Sequence, residues 1–104
     1  MMGYIEELQS TIRRLHGCES DYLESVPVTE TFQGKTVWQG DVEVFAIRGH
    51  PTAKRCYAWA HETSETGKRY VAVLELPPVV SAETAVRAAI IEEYRTKHGK
   101  QETS

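Results

Sequence analysis

His16, Cys18, His50, Cys56 and His61, side chains able to ligate a metal or attack an electrophile, are scattered through the chain. Zinc centres use such residues at spacings like C-x2-C or H-x3-H. Neither spacing occurs, and strand alternation turns Cys56 away from His61, so no metal and no cofactor are expected. A thiol nucleophile needs an adjacent base and a lowered pKa. Cys56 lies between Arg55 and Tyr57, with His50 and His61 nearby in sequence, but an inward direction makes it a small buried hydrophobe. Asp41 and Glu43 share a strand face, as an acid-base pair would; a solvated edge explains them as well. Neither G-x-x-x-x-G-K-[ST] nor G-x-G-x-x-G is present, so nucleotide use has no motif behind it. No catalytic set assembles, and the residue pattern leans away from an enzyme.

Two features stand out instead. Gly49-His50-Pro51 marks a rigid turn, with His50 as a candidate turn site able to pass a proton or grip a ligand, or simply to fill the tip. The run Arg55 to His61 then alternates large amphipathic residues (Arg55, Tyr57, Trp59, His61) with small ones (Cys56, Ala58, Ala60). With the small residues placed under helices, the other face carries Phe45, Ile47, Arg55, Tyr57, Trp59 and His61 as a candidate binding surface. Such an apolar sheet face needs a cover, and an interface is the expected one.

The elements that must position these residues follow from periodicity. Ile5, Leu8, Ile12 and Leu15 form one helical stripe, with Glu6 and Glu7 early, Arg13, Arg14 and His16 late, and Gly17 to end the helix. Period-two alternation predicts strands over Tyr22 to Phe32, Thr36 to Arg48, Ala53 to Glu62 and Arg69 to Leu76. Pro27 marks the first as an edge strand or a bulged one. Gln33-Gly34-Lys35 is a turn, Gly40-Asp41 suggests a bulge that re-aims Trp38, and Ser64 to Gly67 is a polar loop. Ala53 to Ala60 also suits a helix with Pro51 at its first position; the clean alternation favours a strand. After Pro77-Pro78, Ser81 caps a second helix whose stripe is Ala82, Ala85, Val86, Ala89, Ile90 and Tyr94. That helix fades near Lys97-His98-Gly99, leaving residues 100–104 as a disordered tail.

The expected architecture is one α+β domain over residues 1–99. It is a two-layer sandwich, a four-stranded antiparallel meander with the N-terminal and C-terminal helices on one face, in the order αββββα. At 104 residues there is room for one core. The composition, 40% hydrophobic and 26% charged with no long apolar run, fits a globular chain and no membrane association. The start lacks the basic and apolar regions of a signal peptide, and both cysteines read as free thiols, so the expected compartment is the cytoplasm. A net charge of −3 weighs against nucleic acid as a partner, although Arg48, His50, Lys54 and Arg55 form a small basic knot.

The run Trp38-x-Gly40-x-Val42-x-Val44-Phe45, followed by Gly49-His50-Pro51-x-Ala53-x-x-Cys56-Tyr57-Ala58-Trp59, resembles a signature of small uncharacterised bacterial proteins of about this length. The likeness covers roughly the central and C-terminal thirds and implies neither an activity nor a site. The element order is also similar to the double-stranded RNA-binding fold, but Pro78 to Glu83 lacks the lysines that enter the last helix of that fold. Three function classes remain. The first is a small binding or interaction protein using the aromatic sheet face with a protein partner or a second copy of itself as a homodimer. The second is a small-molecule binder or enzyme with His50, His61 and Arg55 around a pocket. The third is a single-stranded nucleic-acid binder stacking bases on Tyr57 and Trp59.

Overall fold

In a computed structural model, the backbone is described for residues 3–63 and 67–102 and the side chains for residues 3–61 and 67–92. The order is α1 (Tyr4–His16), β1 (Glu19–Phe32), β2 (Lys35–Arg48), β3 (Arg55–Thr63), β4 (Gly67–Leu74) and α2 (Ala82–Glu102). The strands form one antiparallel sheet in the order β1-β2-β3-β4, so the α+β class and the meander are as expected, and Ala53 to Ala60 supplies strand rather than helix. Helix α2 runs through Glu102, beyond the expected fade near Gly99, while Thr103, Ser104 and the Ser64 to Thr66 part of the polar loop lie outside the described residues.

The placement of the helices differs from expectation. Cross-strand partners in an antiparallel sheet point to the same face. Phe45 pairs with Cys56 and Cys56 with Leu74, whereas Val44 pairs with Tyr57 and Tyr57 with Val73. Leu8 and Ile12 of α1 pack on the first set, together with Ile47, Ala58 and Ala72. Ala82, Ala85 and Val86 of α2 pack on the second, together with Val28, Val42 and Trp59. The two helices therefore cover opposite faces, and the molecule has three layers, helix on sheet on helix. A sheet covered on both sides needs apolar residues at successive positions, and Val42, Glu43, Val44 and Phe45 are four buried residues in a row.

Helix α1 begins with the Gly3 amide donating to Glu6 Oε1 (2.9 Å) and ends at Gly17, whose positive φ of 70° lets its N–H reach the Arg13 carbonyl. Its stripe is narrower than its spacing predicts, since Leu15 is 52% exposed while Leu8 and Ile12 are fully buried. Polar ties hold it to distant strands: the Tyr70 hydroxyl donates to the Glu7 carboxylate, and His16 Nε2 lies 2.9 Å from the Ala72 carbonyl oxygen. Helix α2 is capped as predicted. Thr84 N–H donates to Ser81 Oγ (3.2 Å) and Ser81 N–H to Thr84 Oγ1 (2.9 Å). Arg87 joins α2 to β1 through Glu30 at 2.9 Å.

Strand β1 lies at an edge, where Pro27 withholds no ladder bond, and it is also bulged. The register shifts fall between Tyr22 and Glu24 and between Glu30 and Thr31, which makes Leu23 and Val37 the extra residues. The bulge expected at Gly40-Asp41 is therefore at Val37, and Gly40 pairs regularly with Val28. Gln33 and Gly34, with φ of 53° and 79°, form the two-residue turn between β1 and β2. Pairing of β2 with β3 runs only from Glu43↔Ala58 to Ala46↔Arg55. Beyond Glu43 each strand stays with its other neighbour, so the sheet forks between Gln39 to Asp41 on β2 and Ala60 to His61 on β3.

Candidate ligand-binding cleft

The six residues expected to share one contact surface do not share a face. Phe45 and Ile47 are buried beneath α1, and Tyr57 and Trp59 are buried beneath α2; Arg55 is exposed and His61 half-buried. The aromatic face does need a cover, and the chain supplies it from its own second helix. At the turn, His50 Nδ1 accepts the amides of Thr52 (3.1 Å) and Ala53 (2.8 Å), which assigns the ring proton to Nε2 and gives His50 a turn-closing part. Gly49, with φ of 97°, supplies the left-handed backbone that starts this turn.

Both cysteines are buried free thiols in the α1 cluster. Burial pushes the Cys56 thiol up to about 12, the wrong direction for a nucleophile. Among the described residues, no three of His, Cys, Asp and Glu gather as a metal would require. Glu43 departs from the solvated edge expected of it: it is only 7% exposed, with its carboxylate accepting from Tyr22 Oη (2.9 Å) and Ser25 Oγ (3.1 Å). The bond to Glu43, followed by burial, raises the Tyr22 phenol above its ordinary value.

What the sheet and α2 enclose between them is a cleft of about 600 Å³. Trp59, Val71 and Val73 form its floor, Trp38 one wall, and Val86, Ala89 and Ile90 its roof, with His61, Arg69 and Glu92 at the rim. The indoles of Trp38 and Trp59 meet edge to face, their ring centroids 5.8 Å apart. Gly40 makes room for this wall, because a Cβ there would stand 3.0 Å from Trp38 Cη2. A second cavity of about 470 Å³ fills the fork. It is bordered by Tyr4, Gln39, Gly40, Asp41, Glu43 and Ala60, and it shares Trp38 and His61 with the cleft. Tyr4 Oη accepts the Ala60 amide at 3.0 Å, satisfying backbone that the fork leaves without a strand partner. Burial raises the Tyr4 phenol, and the charges of Glu43 and Asp41 add to the effect.

Most of the cleft was missed in the sequence. The available signal was the Trp38-x-Gly40 pair on one strand face, since an indole two residues from a glycine can lie flat over its backbone. Comparison of the chain with family models, with curated proteins and with solved structures finds no match. No helix among the described residues is long and apolar enough to cross a membrane.

Tyr57 beneath α2 makes one pH prediction. Burial, followed by its 2.5 Å bond to Glu75 Oε2, pushes its phenol from 10.0 up to about 12. Between these values the folded state keeps a proton that the unfolded chain has lost, so the unfolded state binds fewer protons and stability falls as pH rises. The contribution is complete below pH 10 and gone above about 12. Cys56 acts in the same direction from 9.0 to about 12, so Tyr57→Phe should flatten the decline only in part. Denaturant midpoints measured from pH 9 to 12 check this. An identical slope in wild type and Tyr57→Phe removes Tyr57 as the cause.

Proposed function

We propose that this protein binds a small, largely apolar molecule in the cleft between α2 and the β2-β3-β4 face. The observation that carries this reading is the cleft itself. Its volume of about 600 Å³ falls inside the roughly 300–1,000 Å³ of ligand sites, and an aromatic and aliphatic lining with a few polar groups at the rim is their usual chemistry. The aromatic sheet face thus acts in binding as the floor of a pocket, with His61 from the earlier candidate set at its rim. Docking of a protein partner or a second copy on that face would require α2 to leave, since α2 covers Tyr57 and Trp59. Base stacking on the same two rings meets the same obstacle, and the net charge of −3 opposes it further. A cytoplasmic setting belongs to this reading, supported by two cysteines kept as buried free thiols.

The test is titration with N-phenyl-1-naphthylamine, an uncharged fluorescent hydrophobe. Saturable one-to-one binding is expected. Ala89→Trp, which fills the roof of the cleft, should weaken it at least about tenfold with little change in unfolding midpoint. Val71→Phe, acting from the floor, gives the same readout should the first variant fold poorly. Absence of saturable binding, or unchanged affinity in both variants, overturns the proposal.

A further inference from the structure

We infer that the ligand is an aromatic amino acid, its ring inside the cleft and its zwitterionic end held at the rim between Arg69 and His61 on the sheet and Glu92 on α2. This rests on the cleft reading above and names the ligand class for it. The first ground is that floor and roof carry the same pattern toward the same end. On the floor, the cross-strand pairs Tyr57↔Val73 and Trp59↔Val71 are followed on the same face by His61↔Arg69, at steps of about 7 Å. On the roof, Val86, Ala89 and Glu92 follow at three-residue spacing, neighbours along the helix surface, and all three line the cleft. Each wall is therefore apolar within and charged at the rim, where Arg69 and Glu92 are both exposed.

The second ground is that the two rim charges are of opposite sign. A lone carboxylate there would meet Glu92 as well as Arg69, and a lone ammonium would meet Arg69 as well as Glu92. An α-amino acid gives each its opposite. Arg69 and Glu92 also make interactions within the chain, but a guanidinium has five donors and a carboxylate about four acceptor positions, so each has capacity for a further bond. His61, directly across from Arg69, brings a ring N–H to the same carboxylate. The interior suits an aromatic ring: the Trp38 and Trp59 indoles line it, and rings favour edge-to-face and offset contacts with one another. Because the rim is open to water, the charged end keeps part of its hydration, and the cost of burying two ions is avoided.

Calorimetric titration with L-tryptophan, indole-3-propionate, tryptamine and 3-methylindole separates this inference from the reading beneath it. The four share one indole ring and carry, in turn, both charges, the negative alone, the positive alone and none. Free tryptophan is expected to bind about tenfold more tightly than 3-methylindole, with each singly charged compound weaker than tryptophan. Arg69→Gln should weaken tryptophan and indole-3-propionate about threefold to fivefold relative to tryptamine; Glu92→Gln should weaken tryptophan and tryptamine by a similar factor relative to indole-3-propionate. Lys68→Gln makes the same charge change next to Arg69 but on the α1 side of the sheet, and it should leave the wild-type ranking in place. The wild-type ranking carries the test by itself should a variant fold poorly. Tryptophan no tighter than 3-methylindole, a singly charged compound tightest, a ranking unmoved by both rim variants, or Lys68→Gln acting as Arg69→Gln does overturns the amino-acid inference while leaving the cleft reading in place. So does failure of all four to bind where N-phenyl-1-naphthylamine binds; failure of all five removes both.

Discussion

Replacing Phe45 by alanine is expected to lower the unfolding free energy by about 3–5 kcal/mol, the range for emptying a buried aromatic site. Phe45 is 0% exposed at the centre of the cluster beneath α1, and its ring also lies 5.6 Å from that of Tyr22. Deletion leaves a void lined by Leu8, Ile12 and Cys56, whose positions are set by backbone ladders and a helix rather than by loops free to collapse. Phe32→Ala is the control. Phe32 sits at the β1-β2 turn, 64% exposed, and the same chemical change there should move stability by no more than about 0.5 kcal/mol. Urea unfolding of the two variants gives the comparison; equal losses would show that Phe45 does not fill the core.

Trp59→Ala should cost a similar amount, about 3–5 kcal/mol, from the opposite side of the sheet. Trp59 is 3% exposed, packs with Val42, Tyr57 and Val86, and holds the edge-to-face contact with Trp38. The variant also loses the floor of the cleft, so hydrophobe binding should disappear along with the stability. Sedimentation of the variant should match that of wild type, because the indole faces α2 of its own chain. A change in oligomeric state with stability preserved would return Trp59 to the outside of the molecule.

How much of this was readable in the sequence depended on range. Elements written in local signals were found: the α1 stripe, the Gly17 cap, the Ser81 cap, the Gln33-Gly34 turn and four alternating strands. The faces were not, because they depend on register. Phe45 and Tyr57 both occupy odd positions, which invites placing them together, but the connection from Gly49 to Lys54 pairs Phe45 with Cys56 and sends Tyr57 to the other side. A slip of one residue in that connection would have made the sequence assignment right. The choice of face decides what covers the sheet. With both helices on one face, the aromatic face needed an outside partner, whereas a helix on each face leaves a cleft. Glu43 was misread for the same reason, since its burial comes from Tyr22 and Ser25 across a bulged ladder that alternation alone does not describe.

The polar ties of α1 have a consequence for the order in which the chain is made. Each strand follows its partner within a short stretch of sequence, so the meander can pair as it is synthesised. Helix α1 precedes all four strands yet is tied to the last two: its bonds to Ala60, Ala72 and Tyr70 span 56, 56 and 63 residues. Until β4 has been made, Leu8 and Ile12 have only part of their final surroundings, and closing so long a loop carries an entropy cost that pairing between neighbouring strands avoids. Helix α1 thus precedes most of what buries it, and its apolar stripe stays partly uncovered until β4 has been made.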